Sequence, residues 1–447
     1  MLKFNFKNIG KISEAQIELG KLTILCGPNN SNKTYLSYII YGFLKQIKLF
    51  FQCTVDDDFF ENLMKSGTAE YDLMSNFDNF INDIHRFSKK FSENLASYFS
   101  VKREIFGNSL VNFDIKKEDL ILDSVRRGVA IFGDQCRVFF HKEKDSTKVK
   151  FVYQERENEN DFGNKQKVPK DILRKIVGEQ LANIFLMNSL PRPFVITSER
   201  TGIELFYKYI EINKRLQFDN ADNMEIEDSR FCVPINDNIE VMKEIDEIVK
   251  KRSSINDGNK LVDAMTDIMG GRCIAQDKQL FFKVRDGEKE CVVPMQLSSS
   301  SVKSLYLLEL YLRHLASVGD ILIIDEPELN LHPDNQRKIA SLLVKLVNSG
   351  VNVFITTHSD YVVREINNRI VLGNSSGNEK KMIMERYGVT DDELLKLHNV
   401  VAYCVNKNGD VKQIPVTSRG VELEEFDAII NSANEFSDDV YNFVWKP

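Results

Sequence analysis

Leu22-Thr-Ile-Leu-Cys26 runs directly into Gly27-Pro28-Asn29-Asn30-Ser31-Asn32-Lys33-Thr34, and this stretch decides the fold. The apolar run predicts a buried strand, and the small and polar residues after it predict a tight loop. Tyr35–Phe50 continues as a largely apolar helix. Successive backbone N–H groups in a loop that opens a helix bind anions, phosphates above all. The stretch therefore predicts a phosphate-binding loop in an α/β nucleotide-binding lobe.

The loop also carries side chains suited to a nucleotide and its metal. Lys33 would reach the β- and γ-phosphates, and the Thr34 hydroxyl would ligate Mg²⁺. The usual pattern has a second glycine where this chain has Asn32, and asparagine tolerates the left-handed backbone conformation better than most residues. An ordinary polar loop between a strand and a helix is the alternative. The predicted binding residues are Gly27, Pro28, Asn29, Asn30, Ser31, Asn32, Lys33, Thr34 and Tyr35.

A second strand, nearly three hundred residues later, ends in acidic residues. Ile321–Ile324 is apolar without alternation, as in a parallel strand that is buried on both faces. Asp325 and Glu326 follow at once, and two carboxylates are costly there unless they serve a cation or a water. Asp325 is predicted to hold Mg²⁺, and Glu326 to polarise the attacking water. An apolar strand that merely leaves into an acidic loop is the alternative.

Two further elements have polar residues at the ends where ligands bind. The strand Val351–Thr356 ends in Thr357-His358, so His358 is predicted in the ligand crevice at the carboxyl edge of the sheet, as a sensor of the γ-phosphate. Ser298, Ser299, Ser300 and Ser301 precede a helix that runs to about residue 316, and hydroxyls at a helix start bind anions. A capping histidine and a simple serine N-cap are the alternatives.

Composition limits the class of protein. The 447 residues are 43% hydrophobic and 28% charged, which is typical of a globular chain long enough for two lobes. The net charge of −7 gives no overall attraction to nucleic acid, although local basic patches remain possible. Seven unpatterned cysteines indicate reduced thiols, and no signal sequence or membrane-spanning run is present, so we expect a cytoplasmic location.

The patterns predict an α/β fold whose nucleotide lobe is split by a largely helical insert containing a β-hairpin. Strands are expected at Leu2–Phe6 and Ile12–Leu19, before the phosphate loop, and a strand pair at Val400–Val405 and Val411–Val416. The predicted parts are an N-terminal part of the head at 1–50, the insert at 51–193, a C-terminal part of the head at 194–375, and a small α/β extension at 376–447.

The order of these motifs resembles the ABC-type ATPase head, and more narrowly the SMC/RecF/OLD group of AAA-labelled ATPases. Asp325-Glu-Pro-Glu-Leu-Asn-Leu-His-Pro333 is similar to that group's "DEPExxLHP" run, and Leu2–Gly10 is similar to its first hairpin. The similarity covers about 1–45 and 270–375. It implies a head with a mixed or parallel sheet and an N-terminal β-hairpin layer.

The resemblance also implies roles and partners. Two heads would dimerise around two Mg-ATP, with Ser298–Ser301 of one chain reaching the partner's γ-phosphate, Glu326 as catalytic base and His358 as the switch. Leu329–Leu331 would touch the opposite subunit. The serine run lacks the glycine that is usual in the family, and no glutamine loop is evident. The best stand-in for the glutamine loop is Arg200, as a phosphate contact. A structural ion pair is the alternative role for Arg200.

By the same resemblance, a head without a C-terminal nuclease domain is often a bacterial anti-phage ATPase that acts with a separate effector, a nuclease or a toxin. Two alternatives are a RecF-like DNA repair or recombination ATPase and a non-hydrolysing nucleotide-dependent scaffold. A homodimer or higher oligomer is expected, without membrane insertion.

Overall fold

The computed structural model describes residues 2–120, 125–132, 136–155, 170–186, 189–207, 231–255, 258–277, 279–286, 289–422, 432 and 434–444. Contacts between Cα atoms divide the chain into two compact units, Met1–Glu18 with Ile39–Pro193, and Leu19–Tyr38 with Phe194–Pro447. The sequence also favours a polar loop at 155–167 and a helix near 422–433, and both lie almost wholly outside the described residues. It favours a further helix at 202–217, which is described only to residue 207, and residues 200–207 are helical.

The first unit contains two antiparallel sheets, ordered β2-β1-β5 and β4-β8-β7-β6, with helices α2 to α5. Its strands are β1 (Lys3–Ile9), β2 (Ile12–Glu18), β4 (Thr68–Asp72), β5 (Leu110–Asp114), β6 (Arg126–Phe132), β7 (Cys136–Lys142) and β8 (Lys148–Glu155). Its helices are α2 (Asp57–Ser66), α3 (Phe77–Glu93), α4 (Leu95–Tyr98) and α5 (Lys170–Leu186).

Phenylalanine rings fill the core of this unit. Phe43 contacts Phe4, Phe91 and Phe113, with ring centroids between 5.3 and 5.4 Å apart. Such aromatic contacts add to the free energy gained by burying the rings. The predicted helices and the β7–β8 hairpin are present, while β4 and β5 were not predicted, because each is a short strand with only partial alternation.

The second unit is built on a six-stranded sheet in the order β16-β15-β3-β14-β13-β9. Its remaining strands form the antiparallel sheet β10-β11-β12 and the pair β17-β18. The strands are β3 (Leu22–Cys26), β9 (Pro193–Ile196), β10 (Gly271–Gln276), β11 (Gln279–Asp286), β12 (Lys289–Pro294), β13 (Ile321–Asp325), β14 (Asn352–Thr357), β15 (Val400–Val405), β16 (Val411–Ile414), β17 (Val416–Thr417) and β18 (Gly420–Val421).

Among the described residues, eight further α-helices have defined bounds, besides the helical segment at 200–207. They are α1 (Lys33–Phe50), α6 (Val233–Lys243), α7 (Ile245–Ile248), α8 (Gly258–Met269), α9 (Ser300–Leu310), α10 (Pro333–Asn348), α11 (Asp360–Asn374) and α12 (Asn378–Tyr387). A π-helical turn, Tyr311–Leu315, directly extends α9. Among the residues that the structure describes, no helix is long and apolar enough to cross a bilayer.

The centre of the six-stranded sheet is parallel and buried. Strand β3 lies between β15 and β14, and β14 pairs with β13, all in parallel. Every residue of β3 and β13 is buried, as their apolar runs predicted. Because the carboxyl ends of parallel strands meet at one edge, the segments after β3, β13 and β14 converge there. The α/β fold class with a mixed sheet and an N-terminal hairpin is confirmed, while the insert, expected to be largely helical with one β-hairpin, also contains the four-stranded sheet β4-β8-β7-β6.

Strands β15 and β16, near the C-terminus, belong to this same sheet. Strand β15 pairs in parallel with β3, and β16 pairs antiparallel with β15, so the predicted strand pair is present. Gly27 shows how closely β15 is packed, because a Cβ on that glycine would lie 2.2 Å from the carbonyl oxygen of Val405. Part of the segment predicted as a C-terminal extension thus lines the phosphate loop.

Candidate functional site

The loop between β3 and α1 adopts backbone conformations that few residues tolerate. Gly27 has φ +144°, Asn30 has φ +61° and Asn32 has φ +70°. Asparagine is the commonest non-glycine residue in the left-handed region, which explains how the chain forms this turn without the second glycine. Ser31 is buried, whereas Asn29 and Asn30 are exposed at the loop tip and Tyr35 is half-buried on α1.

Lys33, the first residue of α1, folds back over its own loop. Its Nζ donates to the carbonyl oxygens of Gly27 at 2.9 Å and Pro28 at 2.8 Å. Burial lowers the pKa of the ammonium, and the carboxylates of Glu326 and Asp325 oppose that shift. The Lys33 side chain is therefore buried at the loop, where its Nζ donates to two backbone carbonyls. A bound phosphate would compete with these carbonyls as the hydrogen-bond acceptor.

Thr34 joins the two halves of the site, which are far apart in the sequence. Its hydroxyl lies 3.0 Å from Oδ2 and 3.3 Å from Oδ1 of Asp325. Asp325 ends β13 opposite Thr356 of β14, and the Thr356 hydroxyl donates to Asp325 Oδ1. Two hydroxyls therefore surround a carboxylate that is 1% exposed.

The donor set at Asp325 fits a hard divalent cation. Burial raises the pKa of Asp325, while the hydrogen bonds from Thr356 and Thr34 oppose that rise. A buried carboxylate with this balance gains most from a bound cation, and oxygen ligands are those that Mg²⁺ prefers. Among the described residues, no group of three His, Cys, Asp or Glu is arranged to hold a metal.

Glu326 has a strained backbone conformation. Its φ is +52°, in the left-handed region, which costs free energy for a residue with a side chain. Its backbone N–H donates to the carbonyl oxygen of Thr356 at 3.1 Å, which holds the conformation. The result directs the half-buried carboxylate away from the strand, toward His358.

Arg200 lies buried beside the acidic strand end. It is 1% exposed and donates to backbone carbonyls: Nη1 to Thr197 at 2.9 Å and Asp325 at 2.8 Å, Nη2 to Glu326 at 2.6 Å, and Nε to Ser304 at 2.7 Å. The expected roles were a phosphate contact or an ion pair. In the structure the guanidinium fixes the backbone of the two acidic residues and ties it to α9, and a phosphate contact by Arg200 stays a prediction.

His358 lies between two carboxylates. Its Nδ1 is 3.4 Å from Oε1 of Glu326 and 3.6 Å from Oε1 of Glu328. The hydrogen bond with Glu326 raises the pKa of His358 and lowers the pKa of Glu326. The structure thus places the predicted base and the predicted switch within reach of each other.

Glu328 is a residue that the sequence analysis did not single out. It is 4% exposed, and its Oε1 accepts the Thr357 hydroxyl at 2.7 Å and the His358 backbone N–H at 2.9 Å. Its buried Oε2 has no hydrogen-bond partner among the described residues. The available signal was Glu328 as the third acidic residue of Asp325-Glu-Pro-Glu328, because a buried strand end does not need a further acidic residue for solubility.

Tyr38 and Glu199 form a second unpredicted pair near the same edge. The buried Tyr38 hydroxyl lies 3.1 Å from Oε2 of Glu199. Burial first, and the charge of Asp325 next, raise the pKa of Tyr38. Tyr38 lies one helical turn after Thr34, and that i, i+4 spacing was the signal in the sequence.

The serine run lies at the start of α9 and its side chains bond locally. Ser299 is the N-cap, accepting the Val302 N–H at 3.3 Å, and its hydroxyl is 2.8 Å from that of Ser301. Ser298 donates to the carbonyl oxygen of Met295, while Ser299 and Ser300 are exposed. The N-cap alternative is therefore met, and the exposed hydroxyls remain accessible to a ligand or a second chain.

The loop after Glu328 has one exposed and one buried side. Asn330 is exposed with φ +60°, and Leu329 is half-buried. Leu331 is 7% exposed and belongs to the hydrophobic core. Of the segment predicted to touch a second subunit, only Leu329 and Asn330 present accessible surface.

A family model described as AAA ATPase domain matches residues 1–363. Among curated proteins, a probable metal transport system ATP-binding protein of Chlamydia pneumoniae is 50% identical over 46 residues, which is 10% of this chain. That alignment covers 18% of the relative's length.

Solved SMC heads overlap most of the chain at low identity. One is the Smc head domain of Pyrococcus furiosus, with an extended coiled coil and bound to the C-terminal domain of ScpA. It is 12% identical, the alignment covers 97% of this chain and 100% of that chain, and the TM-score is 0.34. Another is the SMC head domain from Thermotoga maritima, with 13% identity, 93% and 98% covered, and a TM-score of 0.30.

Proposed function

The chain belongs to the AAA ATPase domain family, and from that premise we propose that it binds Mg-ATP at Lys33, Thr34 and Asp325 and hydrolyses it with Glu326 as general base. The observation that supports this most is the 3.0 Å contact between the Thr34 hydroxyl and Oδ2 of Asp325. It joins a phosphate loop to an acidic strand end 291 residues away, at the edge of a parallel sheet where nucleotides bind.

Each side chain has one task in this proposal. Lys33 leaves its loop carbonyls and donates to the β- and γ-phosphates, which replace them as acceptors. Thr34 and Asp325 hold Mg²⁺, which supplies charge neutralisation at the phosphates when bound. Glu326 orients a water and accepts its proton, and Arg200 keeps the Glu326 backbone fixed so that the carboxylate needs no reorganisation.

His358 controls when Glu326 acts. In the structure the imidazole Nδ1 lies 3.4 Å from the Glu326 carboxylate, so a protonated His358 forms an ion pair with the base. A γ-phosphate attracts the protonated imidazole more strongly than one carboxylate does, because it carries more charge. Movement of His358 to the phosphate would then release Glu326 for the water.

Turnover tests the catalytic assignment. Phosphate release with ATP and Mg²⁺ is measured for the wild type, for Glu326→Gln, and for Glu379→Gln on the exposed helix α12 as a matched control. Glu326→Gln keeps the size and removes the base, so turnover falls by about 10²–10⁴-fold while nucleotide binding remains. An unchanged rate in Glu326→Gln, or a wild type that does not bind ATP, would contradict the assignment.

We also propose a head-to-head homodimer in which Ser298–Ser301 of one chain contact the nucleotide of the other. Ser299 and Ser300 support this, because they are exposed at a helix N-terminus that attracts phosphate. Light scattering of Glu326→Gln with ATP would give a dimer mass, and adding Ser300→Arg would return it to the monomer. Ser375→Arg, at an exposed position after α11, is the control. A monomer with ATP in all three proteins would exclude this arrangement.

The proposed biological role is control of a separate effector, a nuclease or a toxin, in defence against phage. The resemblance to standalone ATPases of this kind supports it. Phage plating on cells that carry the gene with its neighbours tests it, with Glu326→Gln expected to abolish protection. Turnover stimulated by DNA, with protection unchanged in Glu326→Gln, would instead support a repair ATPase.

A further inference from the structure

A basic cleft of about 960 Å³ lies in the second unit, formed by segments that the nucleotide site does not use. Eleven described residues line it, five of them lysine or arginine and none acidic. They are Val249, Lys250, Lys251, Arg252, Ser253, Ile255, Asn259, Lys260, Val262, Arg313 and His314. This concentration of positive charge stands out in a chain with a net charge of −7.

Backbone hydrogen bonds fix two walls of the cleft to each other. The N–H of Ser253 donates to the carbonyl oxygen of Arg313 at 3.1 Å, and the N–H of Ser254 to that of Ala316 at 2.9 Å. His314 Nδ1 lies 2.8 Å from the carbonyl oxygen of Lys251. The segment after α7 and the π-helical turn after α9 therefore hold their basic residues at set positions.

The cations differ in how far they are already neutralised. Arg313 pairs with the buried Glu309 at 2.6 Å, and Lys250 with Glu247 at 2.5 Å. Among the residues that the structure describes, Lys251 and Arg252 form no direct ion pair with a carboxylate, although Lys251 adds to the effect of Lys250 in lowering the pKa of Glu247; both side chains are exposed. Unpaired cations in a concave surface focus positive potential and attract anions.

We propose that this cleft binds a nucleoside polyphosphate, at a site separate from the phosphate loop. Lys251 and Arg252 would donate to the phosphates, with Lys250 and Lys260 adding charge, while Val249 and Val262 offer an apolar surface to the base. The volume is that of a small-molecule site. This inference does not rest on the proposed function.

The surroundings of the cleft favour a compact ligand over a nucleic acid strand. Exposed carboxylates lie close in sequence to the lining residues, Glu244 and Glu247 on the α7 side, and Asp263 and Asp267 on α8. A phosphate backbone that ran over these helices would meet like charges. A ligand whose negative charge is confined to two or three phosphates would not.

One wall of the cleft belongs to the same helical segment as the serine run. Arg313 and His314 belong to Tyr311–Leu315, which continues α9 without a break, and Ser299 caps the other end of that helix. The ligand would therefore contact the C-terminal extension of the helix whose N-terminus carries the exposed serines. Because the cleft and the serine run share this helix, we expect a ligand in the cleft to change the rate of ATP turnover. The experiment below measures binding of the ligand itself.

Binding is measured by calorimetry with two probes, ADP and inorganic tripolyphosphate, on the Lys33→Ala protein, in which the phosphate loop is disabled. We expect one ADP and one tripolyphosphate per chain. The double change Lys251→Gln/Arg252→Gln, made in the same background, should weaken both by at least about tenfold, because two charge-assisted hydrogen bonds are lost. Lys380→Gln/Lys381→Gln on α12 removes the same charge elsewhere and should leave both affinities unchanged.

Three outcomes would overturn the proposal. The first is no binding of either probe to Lys33→Ala, and the second is equal weakening in the α12 control, which would reveal an effect of net charge alone. The third is binding of a 15-nucleotide oligothymidylate that depends on Lys251 and Arg252 while neither probe binds, which would assign the cleft to nucleic acid. Thermal melting of every variant shows whether the fold is intact, and turnover with the phosphate loop restored tests the ATPase separately.

Discussion

Glu328 holds His358 through the backbone, because its Oε1 accepts the His358 N–H at 2.9 Å while lying 3.6 Å from Nδ1 of the same residue. One buried carboxylate thus fixes both the main chain and the surroundings of the imidazole that pairs with Glu326. The position of His358 therefore depends on a residue that need not touch the nucleotide.

Glu328→Gln and Glu328→Ala should separate this positioning role from charge. The Gln amide keeps an oxygen that accepts from Thr357 and His358, and we expect kcat within about threefold of the wild type. Ala removes the acceptor and should lower kcat by about tenfold or more with little change in KM, since the geometry of His358 is lost while nucleotide binding is retained. Steady-state turnover with varied ATP measures both constants. Equal constants for the two variants would argue against the role.

Arg200 is expected to matter for stability. Arg200→Ala leaves the buried carbonyls of Asp325, Glu326 and Ser304 without their donor, and the free energy of unfolding should fall by about 3–5 kcal/mol. Arg200→Lys keeps the charge but cannot form the planar fork, so it should recover less than half of that loss. Arg364→Ala, which breaks an exposed ion pair with Asp360, is the control and should cost less than about 1 kcal/mol. Denaturant unfolding gives the three values.

The pair of His358 and Glu326 predicts a specific titration. The hydrogen bond to Glu326 raises the pKa of His358 above its ordinary value of 6.5. Protonated His358 therefore stabilises the fold fully below about pH 6.5, and this contribution is lost as the pH rises through the raised pKa. Proton NMR of the imidazole, in protein free of metal and nucleotide, should show the raised value and a lower one in Glu326→Gln. His358→Gln identifies the resonance, and an unchanged titration in Glu326→Gln would exclude the pair in solution.

The sequence predicted the strands of the site because they are buried on both faces. Leu22–Cys26 and Ile321–Ile324 are continuous apolar runs, and each is followed at once by polar residues that have no place in a core. That local pattern suffices to predict the phosphate loop and the acidic strand end. The left-handed conformation at Asn32 was expected on a different ground, because the usual loop pattern has glycine at that position.

The parts that were missed depend on contacts between residues distant in sequence. Arg200 donates to carbonyl groups, which every residue carries, so nothing in the sequence marks its partners at 304 and 325. Strand β5 was missed because Leu110–Asp114 is short and because its partner strand, β1, lies more than a hundred residues earlier in the chain. A single sequence read for periodicity contains no information on such pairings.

Asn32 provides a test of the loop conformation. Its φ of +70° suits glycine and asparagine and is strained for a β-branched residue. Asn32→Gly, which restores the common loop pattern, should change the free energy of unfolding by less than about 1 kcal/mol, whereas Asn32→Val should lower it by about 1–2 kcal/mol and weaken ATP binding. Asn29→Val is the control at an exposed neighbour. Equal stability of the Val and Gly variants at position 32 would contradict the left-handed conformation.

Thr34 should determine whether nucleotide binding depends on magnesium. Thr34→Val removes the hydroxyl that lies 3.0 Å from Asp325 Oδ2 but keeps the shape of the side chain, while Thr34→Ser keeps the hydroxyl. Binding of a fluorescent ATP analogue is measured with Mg²⁺ and again with excess EDTA. In the wild type and in Thr34→Ser, Mg²⁺ should tighten binding of the analogue by at least about tenfold. In Thr34→Val one metal ligand is missing, so the affinities with Mg²⁺ and with EDTA should agree within about threefold. If Thr34→Val responds to Mg²⁺ as the wild type does, the cation is held without this hydroxyl, and the assignment of Thr34 as a metal ligand is wrong.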